Sequence, residues 1–233
     1  MTLTAPATDI SATEPSTTPL STTEPSAPQT SAAEPLAATR IAATAASEPS
    51  AGTGLATQAA ATGLAVLAAS AWPESADDTA APAPAGFIVS SFSPVAAEAA
   101  RRCMERRPQN PDAREAPVTA VVVVSALGDV GGAVHVAGLV DEGERIGPLL
   151  FFQCVPNAVA GHVAARWGLT GPVVCVAQLE AGLETAALLI EDGDADQALL
   201  IHVEQAYTAG THDRAHAVLL GAAAPLHSEG TVT

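Results

Sequence analysis

Lysine is absent from this sequence of 233 residues, and all nine basic residues are arginine. Acidic residues number 25, so the formal net charge at pH 7 is −16. A chain this negative repels phosphate backbones and anionic lipid, so we expect neither nucleic acid nor membrane among its partners. The lack of lysine beside abundant alanine is typical of high-GC bacterial genomes, which indicates a bacterial protein.

Cysteine is scarce, and Cys103, Cys154 and Cys175 include no close pair. This odd number argues against a disulfide framework and a cysteine-type zinc site. His212 and His216 are four residues apart, a spacing that suits metal binding on a helix, but the apolar pattern from 215 onward indicates a strand. No third ligand is evident, so we predict no metal site.

Motifs for nucleotide binding and ester hydrolysis are also missing. The glycines of LGDVGG, from Leu127, do not have the spacing of a dinucleotide-binding or phosphate-binding loop. No G-x-S-x-G nucleophile elbow is present in the sequence. We therefore predict that the protein holds no cofactor.

Large apolar side chains are almost absent from residues 1–50, which consist mainly of Ala, Thr, Ser and Pro. Such a segment cannot bury enough surface to offset the entropy of ordering it, so we predict a disordered tail. Related segments begin at Ser11, Ser21 and Ser31 and are too polar to stack, which favours a spacer over a docking tail for a partner. The start of the chain lacks the basic and apolar regions of a secretory signal, so we expect a cytoplasmic protein.

Residues 54–224 have the composition of one globular domain, and we expect 225–233 to be a flexible C-terminus. Apolar runs predict strands, and helical spacing predicts helices between several of them. The predicted strands are 64–72, 119–124, 172–177, 198–206 and 215–221; the predicted helices are 95–107, 157–167 and 178–191. This alternation favours an α/β fold with a mainly parallel five-stranded sheet, in which strand 172–177 is covered on both faces. The apolar run 55–72 is diluted by Thr, Gln and Ser, so we interpret it as core and not as a membrane helix.

Several segments occur in the order known from one enzyme family. They are PNAVAGHVAARWGLTGP, LLIEDGDAD and ALLIHVEQA, with Glu204 where that family has a G-A-E motif. The turn Ser125-Ala126-Leu127-Gly128 fits the same pattern. The chain thus resembles the N-terminal half of β-ketoacyl synthases, the condensing enzymes of fatty-acid and polyketide synthesis, which have a thiolase-type fold.

The nucleophile position departs from that family. The resemblance places a nucleophilic cysteine at Glu180 when counted forward from Pro172, or at Val176 when counted back from Gly193. Cys175 is one residue from the second position, but inside a strand its thiolate would be disfavoured. Gln178 resembles the glutamine that chain-length-factor subunits carry in place of the cysteine. The family's catalytic histidine motifs are also missing, so the resemblance implies that condensation has no means to proceed in this chain alone.

Three functions remain open. The first is a non-condensing ketosynthase-like accessory subunit, a pseudoenzyme that associates with itself or with a ketosynthase-type subunit. The second is an acyltransferase of the β-ketoacyl synthase type that uses Cys175 or is completed by a second chain. The third is an unrelated α/β binding protein.

Two surfaces are candidates for partner contacts. Arg101, Arg102, Arg106 and Arg107 lie on one predicted helix, either as a solvated face or as a landing site for an acidic acyl carrier protein. The resemblance also implies that the strand containing Val174 lies at a sheet edge and pairs across a dimer. Val174 is therefore expected at the partner interface.

Overall fold

The computed structural model describes residues 51–109, 115–206 and 211–223. The predicted disordered tail and flexible C-terminus lie outside these residues. The described elements, in chain order, are α1 (Ala51–Ala61), β1 (Leu64–Trp72), α2 (Phe92–Glu105), β2 (Thr119–Val124), α3 (Val130–Asp141), α4 (Pro148–Gln153), α5 (Pro156–Trp167), β3 (Val173–Val176), α6 (Leu179–Glu191), β4 (Gln197–Glu204) and β5 (Arg214–Ala222).

The five strands form one sheet in the order β1-β5-β4-β2-β3. This confirms the α/β class and the five-stranded sheet. The parallel part is smaller than predicted, because β2 pairs in parallel with β3 and β4, whereas β5 pairs antiparallel with both β4 and β1. Only nine residues, 205–213, connect β4 to β5, whereas a crossover between parallel strands needs about a dozen or more.

The sheet is covered on both faces, and alternating residues of each strand serve the two cores. Val121, Val123, Leu199 and Ile201 point towards the core that includes α2 and α5. Val122, Val124 and Leu200 point towards the core that includes α6 and, from α1, Leu55 and Ala59. All six residues of β2 are buried, as expected for a central strand with helices on either side. Each fully buried valine or leucine stabilises the fold by about 1.5–3 kcal/mol.

β3 lies at the edge of the sheet and not in its interior. It pairs only with β2, and its first residue, Val173, is 41% exposed. Both faces of strand 172–177 are covered as expected, because Cys175 packs on the α5 side and Val176 on the α6 side. The strand nevertheless lies at an edge, as the family resemblance implies, and not in the sheet interior. Apolar composition alone could not distinguish the two, because an edge that another chain covers is as apolar as an interior strand.

Gly171 holds the start of β3 against β2. A Cβ atom built at this residue would lie 2.6 Å from the backbone nitrogen of Ala120 and 2.6 Å from the carbonyl carbon of Thr119. Only glycine permits so close an approach of the two backbones. The Gly-Pro pair that interrupts the sequence pattern is therefore the point where the edge strand joins the sheet.

Helix boundaries differ from the predicted ones in ways that local chemistry explains. α5 begins at Pro156 and not at Asn157, with Val155 as the N-cap, because proline suits the first turn of a helix. It ends at Gly168, whose φ of 65° is left-handed, as predicted. Sequence reasoning missed α1, α3 and α4. No helix of the described residues has the length and apolar character needed to cross a membrane.

Candidate functional site

The junction between β3 and α6 carries all three residues proposed for the nucleophile position. Val176 ends the strand, Gln178 is the N-cap of α6, and Glu180 lies in the first turn of that helix. Gln178 and Glu180 are exposed, and the Gln178 side chain makes no capping hydrogen bond. None of the three carries a thiol, so this junction presents an amide and a carboxylate to solvent.

Cys175 is turned away from this junction. Val176 packs against the core on the α6 side, whereas Cys175 packs against the core on the α2 and α5 side. Burial raises the pKa of the Cys175 thiol to about 11. The thiol is therefore protonated at neutral pH, which disfavours nucleophilic attack because the thiolate is the reactive form.

A cavity of about 510 Å³ opens at the carboxyl ends of β2 and β4. Loops after neighbouring parallel strands meet at this edge of an α/β sheet, where ligands commonly bind. Its polar lining residues are Ser125, His202, Glu204, Gln205, Thr211, His212 and Arg214, beside apolar residues of the same segments. Sequence reasoning singled out the turn at 125–128, Glu204 and His212 but missed the rest of this set. The polar run at the end of the β4 pattern was the available signal.

Two histidines on the sheet are direct cross-strand partners. His202 of β4 lies opposite His216 of β5, and two pairs further along Glu204 lies opposite Arg214. His216 is only 8% exposed, and neither of its ring nitrogens has a hydrogen-bond partner. Burial lowers the pKa of both imidazoles, and the neighbouring His202 lowers that of His216 further. Both rings are therefore neutral at pH 7.

His212 and His216, the spacing of which suits a metal site on a helix, do not line the same cavity. His212 lines the cavity, whereas His216 lies on the sheet and is not part of the cavity wall. Among residues 51–109, 115–206 and 211–223, no group of three or more His, Cys, Asp or Glu side chains could hold a metal ion.

Gln205 lines the cavity, and hydrogen bonds hold its side chain in place. Its side-chain oxygen accepts a hydrogen bond from the Gly131 N–H at 3.0 Å, and its Nε2 donates to Ser90 Oγ at 2.9 Å. Ser90 in turn donates to the carboxylate of Asp129, which caps α3 by accepting from the Gly132 N–H at 2.8 Å. This chain of hydrogen bonds ties the end of β4 to the starts of α2 and α3, so the wall is rigid.

The arginine cluster on α2 is neutralised by acidic residues of the same chain. Arg101 contacts Glu98 and Glu105 at 2.6 Å each. Hydrogen bonding to Arg101 lowers the pKa of Glu98, which is buried beneath the cluster. These contacts use the donors of Arg101 that an approaching acidic protein would need.

Arg102 and Arg106 are paired with the acidic loop that follows β1. Arg102 contacts Asp78 at 2.7 Å, and Arg106 contacts Glu74 at 2.6 Å. Hydrogen bonding to Arg102 lowers the pKa of Asp78 well below its usual range. Three of the four arginines are therefore neutralised within the chain, two of them because the loop folds back onto α2.

Two of the four arginines, Arg102 and Arg107, also stack on aromatic rings. The Arg102 guanidinium carbon lies 4.7 Å from the centre of the Trp72 ring, and that of Arg107 lies 5.5 Å from the centre of the Trp167 ring. Cation–π contacts of this kind contribute about 0.5–2 kcal/mol each. Arg107 has no recorded acidic partner among the described residues, so it is the member of the set most available to another protein.

Residues 84–223 match the family model of the β-ketoacyl synthase N-terminal domain. Because the match covers more than half of the chain, the protein belongs to this family. The hypothesis of an unrelated α/β protein is therefore wrong. No curated protein is detectably similar to the chain in sequence.

Solved structures show the same fold at low sequence identity. A ketosynthase in complex with its chain length factor, from Xenorhabdus doucetiae, matches with a TM-score of 0.56 and 18% identity over 70% of this chain and 80% of that chain. A type II polyketide acyl-carrier protein in complex with its hexaketide-bound ketosynthase matches at 0.51 and 14%, over 68% and 63%. A β-ketoacyl synthase from Burkholderia phymatum matches at 0.50 and 14%, over 72% and 54%. The chain thus spans less than two thirds of the last two chains.

Proposed function

We propose that this protein is a non-condensing partner subunit of a ketosynthase, comparable to a chain length factor, in polyketide-type biosynthesis. The observation that carries this proposal is the β3–α6 junction. An unpaired edge strand leads there into a helix that begins with Gln178 and Glu180 and has no thiol. A family member built this way retains the surface for association without the nucleophile for acyl transfer.

The size of one similar chain supports this role. The alignment with the Xenorhabdus doucetiae complex covers 70% of this chain and 80% of the matched chain, so the two chains are of similar length. That complex contains a ketosynthase and its chain length factor. A chain of this size with a ketosynthase-type fold is thus compatible with such an assembly.

A ketosynthase-type subunit fits the surface better than an acyl carrier protein does. Arg101, Arg102 and Arg106, which would receive an acidic carrier, are paired with carboxylates of this chain. The β3 edge, in contrast, has free backbone groups and apolar side chains. Exposed edges of this kind associate with another strand.

The acyltransferase alternative depends on Cys175. Its thiol packs against the core and is protonated at neutral pH, so no observation favours it as the nucleophile. Incubating the protein with an acyl thioester and measuring its intact mass distinguishes the partner-subunit proposal from the acyltransferase alternative. Our proposal expects no stable acyl adduct, whereas stoichiometric acylation that Cys175→Ala abolishes would establish the alternative.

Association at the edge strand is tested by Val174→Lys, with Val118→Lys as the matched control. Val118 is an exposed valine next to the sheet, whereas Val174 is half-buried; Val118 precedes β2 and lies off the edge strand. We expect the wild-type protein and the control to co-purify with a ketosynthase of the source organism in gel filtration with light scattering. The Val174→Lys protein should elute alone, because a lysine would be desolvated in the interface. Equal complex formation by both variants would contradict the edge-strand contact.

A further inference from the structure

The loop that follows β1 contacts α2 through paired charges. This acidic loop, residues 73–81, carries three carboxylates. Asp78 accepts hydrogen bonds from Arg102 on both of its oxygens, at 2.7 and 2.8 Å. Glu74 accepts from Arg106 in the same way, at 2.6 and 2.7 Å. Contacts in which a guanidinium meets both oxygens of a carboxylate are stronger and more specific than single ones.

The rest of the acidic loop is loosely attached to the part of the chain that the structure describes. The backbone–backbone hydrogen bonds recorded for residues 73–81 join residues of the loop itself. Among the apolar residues of the loop, only Ala81 packs against the core. A cavity of about 410 Å³ is lined by loop residues 78–81 together with Trp72 and the first turn of α2. The ion pairs therefore determine where the loop lies.

The loop supplies half of the negative charge that balances the arginines of α2. Four arginines at the end of this helix form the arginine face: Arg101, Arg102, Arg106 and Arg107. Four carboxylates lie within ion-pair distance of this face: Glu74 and Asp78 of the loop, and Glu98 and Glu105 of α2 itself. The arginine face is neutral with the loop in place and carries two uncompensated positive charges without it.

We infer that the acidic loop is an internal block that keeps acyl carrier protein off this subunit, because it occupies the arginines that an acidic carrier would contact. This inference rests on the proposed function, in which the acyl chain must reach the ketosynthase and this subunit has no nucleophile to receive it. Specificity between two similar surfaces can be built by disfavouring the wrong one. The loop disfavours this subunit and leaves the ketosynthase as the carrier's target.

Tethering gives the loop an advantage over a separate protein. Because both of its ends belong to the folded chain, the loop presents its carboxylates to the arginines at an effective concentration on the order of millimolar. A carrier at micromolar concentration cannot displace them unless its own contacts are much stronger. The side chains of Arg102 and Asp78 are each 15% exposed, so salt screens this pair less than it screens a contact at an open surface. An approaching carrier also meets the charge of the loop itself, and like charges disfavour association.

The experiment removes the block by changing charge alone. A Glu74→Gln/Asp78→Asn double variant keeps the size of both side chains and releases Arg102 and Arg106. Binding of the apo acyl carrier protein of the source organism to each full-length protein is measured by calorimetry at about 50 mM salt. We expect no detectable binding by the wild type, and binding by the double variant with an association constant at least about tenfold above the detection limit. This binding should be lost at about 500 mM salt, because it is electrostatic.

Two further variants separate the block from a general effect of net charge. Glu142→Gln/Glu144→Gln also removes two negative charges, but these residues follow α3 and belong to neither the loop nor α2. This control should bind no carrier. Adding Arg106→Ala to the loop double variant should weaken the gained binding at least about fivefold, because Arg106 is one of the two arginines that the loop variant releases.

Circular dichroism melting establishes that each variant is folded, and Glu74→Gln and Asp78→Asn are measured singly if the double variant is not. A folded loop variant that gains no binding would overturn the block. Equal gains in both double variants, or a wild-type protein that already binds the carrier as tightly, would overturn it as well. No ketosynthase is present in this assay, so its result is separate from the co-purification that tests the proposed function. A protein that binds no ketosynthase loses that function, whereas gained carrier binding still supports the block.

Discussion

α2 and α3 are helices of similar length whose surroundings differ completely. α2 buries ten of its residues against the sheet and α5, and its charged face is neutralised by Glu98, Glu105 and the acidic loop. α3 is more apolar but buries only Gly132. The apolar surface of α2 is covered within its own chain, whereas that of α3 is not. Burial therefore depends on amphipathic pattern and available neighbours, and not on hydrophobic content alone.

The largest difference is expected between two Phe→Ala variants, one in the well-packed region and one in the exposed region. Phe92, at the start of α2, is fully buried, and Phe92→Ala should lower the free energy of unfolding by about 3–5 kcal/mol. Phe151→Ala should change it by less than about 0.5 kcal/mol, because that side chain is exposed in the free protein. Phe151 lies in α4, which with α3 and the turn between them forms the arm, residues 130–153. Urea denaturation of both variants measures the difference. Similar losses in both would mean that the arm is packed in solution.

The charged network on α2 is tested by Glu98→Gln, with Glu105→Gln as its control. Glu98 is buried and accepts hydrogen bonds from Arg101 and Arg102, so its replacement should cost about 1.5–3 kcal/mol at pH 7. Glu105 is largely exposed, and its replacement should cost less than about 1 kcal/mol. Thermal unfolding at neutral pH gives both values.

The pH dependence of the same variant provides a second check. Hydrogen bonding to Arg101 lowers the pKa of Glu98 below its ordinary value of 4.5. The unfolded chain therefore binds more protons in acid, so this stabilisation is present above pH 4.5 and is lost as the pH falls below it. Glu98→Gln should remove that part of the acid sensitivity. An unchanged stability profile between pH 5 and 3 would contradict the role of the network.

His216 is an exception within the well-packed region. Its imidazole lies opposite His202, with Glu204 and Arg214 two pairs further along, and it is buried without a hydrogen-bond partner. Because its pKa is lowered below the ordinary 6.5, the unfolded state binds more protons, and stability should fall as the pH drops from about 6.5. His216→Leu fills a similar volume without polar atoms and should raise stability by about 1 kcal/mol at pH 6. Chemical denaturation at pH 7 and pH 5.5 checks this, and an unaltered slope would show that the ring is satisfied in solution.

The smallest effects come from replacing one glycine in each region by alanine. Gly138 in α3 and Gly161 in α5 both have open space where a Cβ would be added. Alanine stabilises a helix by about 0.5–1 kcal/mol relative to glycine. Gly161→Ala should raise the global free energy of unfolding by that amount.

Gly138→Ala should instead act only within the arm. It should slow hydrogen exchange of α3 amides about two- to fivefold and leave the global transition unchanged, because the arm opens separately from the sheet. Hydrogen exchange with mass spectrometry measures both variants. A global stabilisation by Gly138→Ala would show that arm and sheet unfold as one unit.

The sequence was sufficient to predict the elements that follow from local patterns. The valine run at 119–124 predicts a buried strand because no polar side chain interrupts it. The motif at 156–172 predicts a helix that ends at a left-handed glycine, and it also carries the family resemblance. The three residues proposed for the nucleophile position come from the family resemblance, and the absence of a thiol at each of them is visible without coordinates.

Other features depend on residues that are distant in the sequence. No local pattern indicates that Asp78 and Glu74 return to neutralise Arg102 and Arg106, because that pairing requires the loop after β1 to lie on α2. The cavity at the ends of β2 and β4 likewise joins segments that meet only in the folded sheet. The antiparallel direction of β5 was not predicted, because a strand pattern does not indicate which strand it pairs with.

Apolar periodicity by itself determined the fold class, and the order of several motifs carried the family resemblance. The lack of a thiol at the β3–α6 junction follows directly from the side chains at 176, 178 and 180. Only the tertiary structure decided that β3 lies at an edge, that Cys175 faces the core and that the arm is uncovered. These are properties of long-range packing. The same apolar letters encode a buried core strand and an interface strand, and only the positions of their neighbours separate the two.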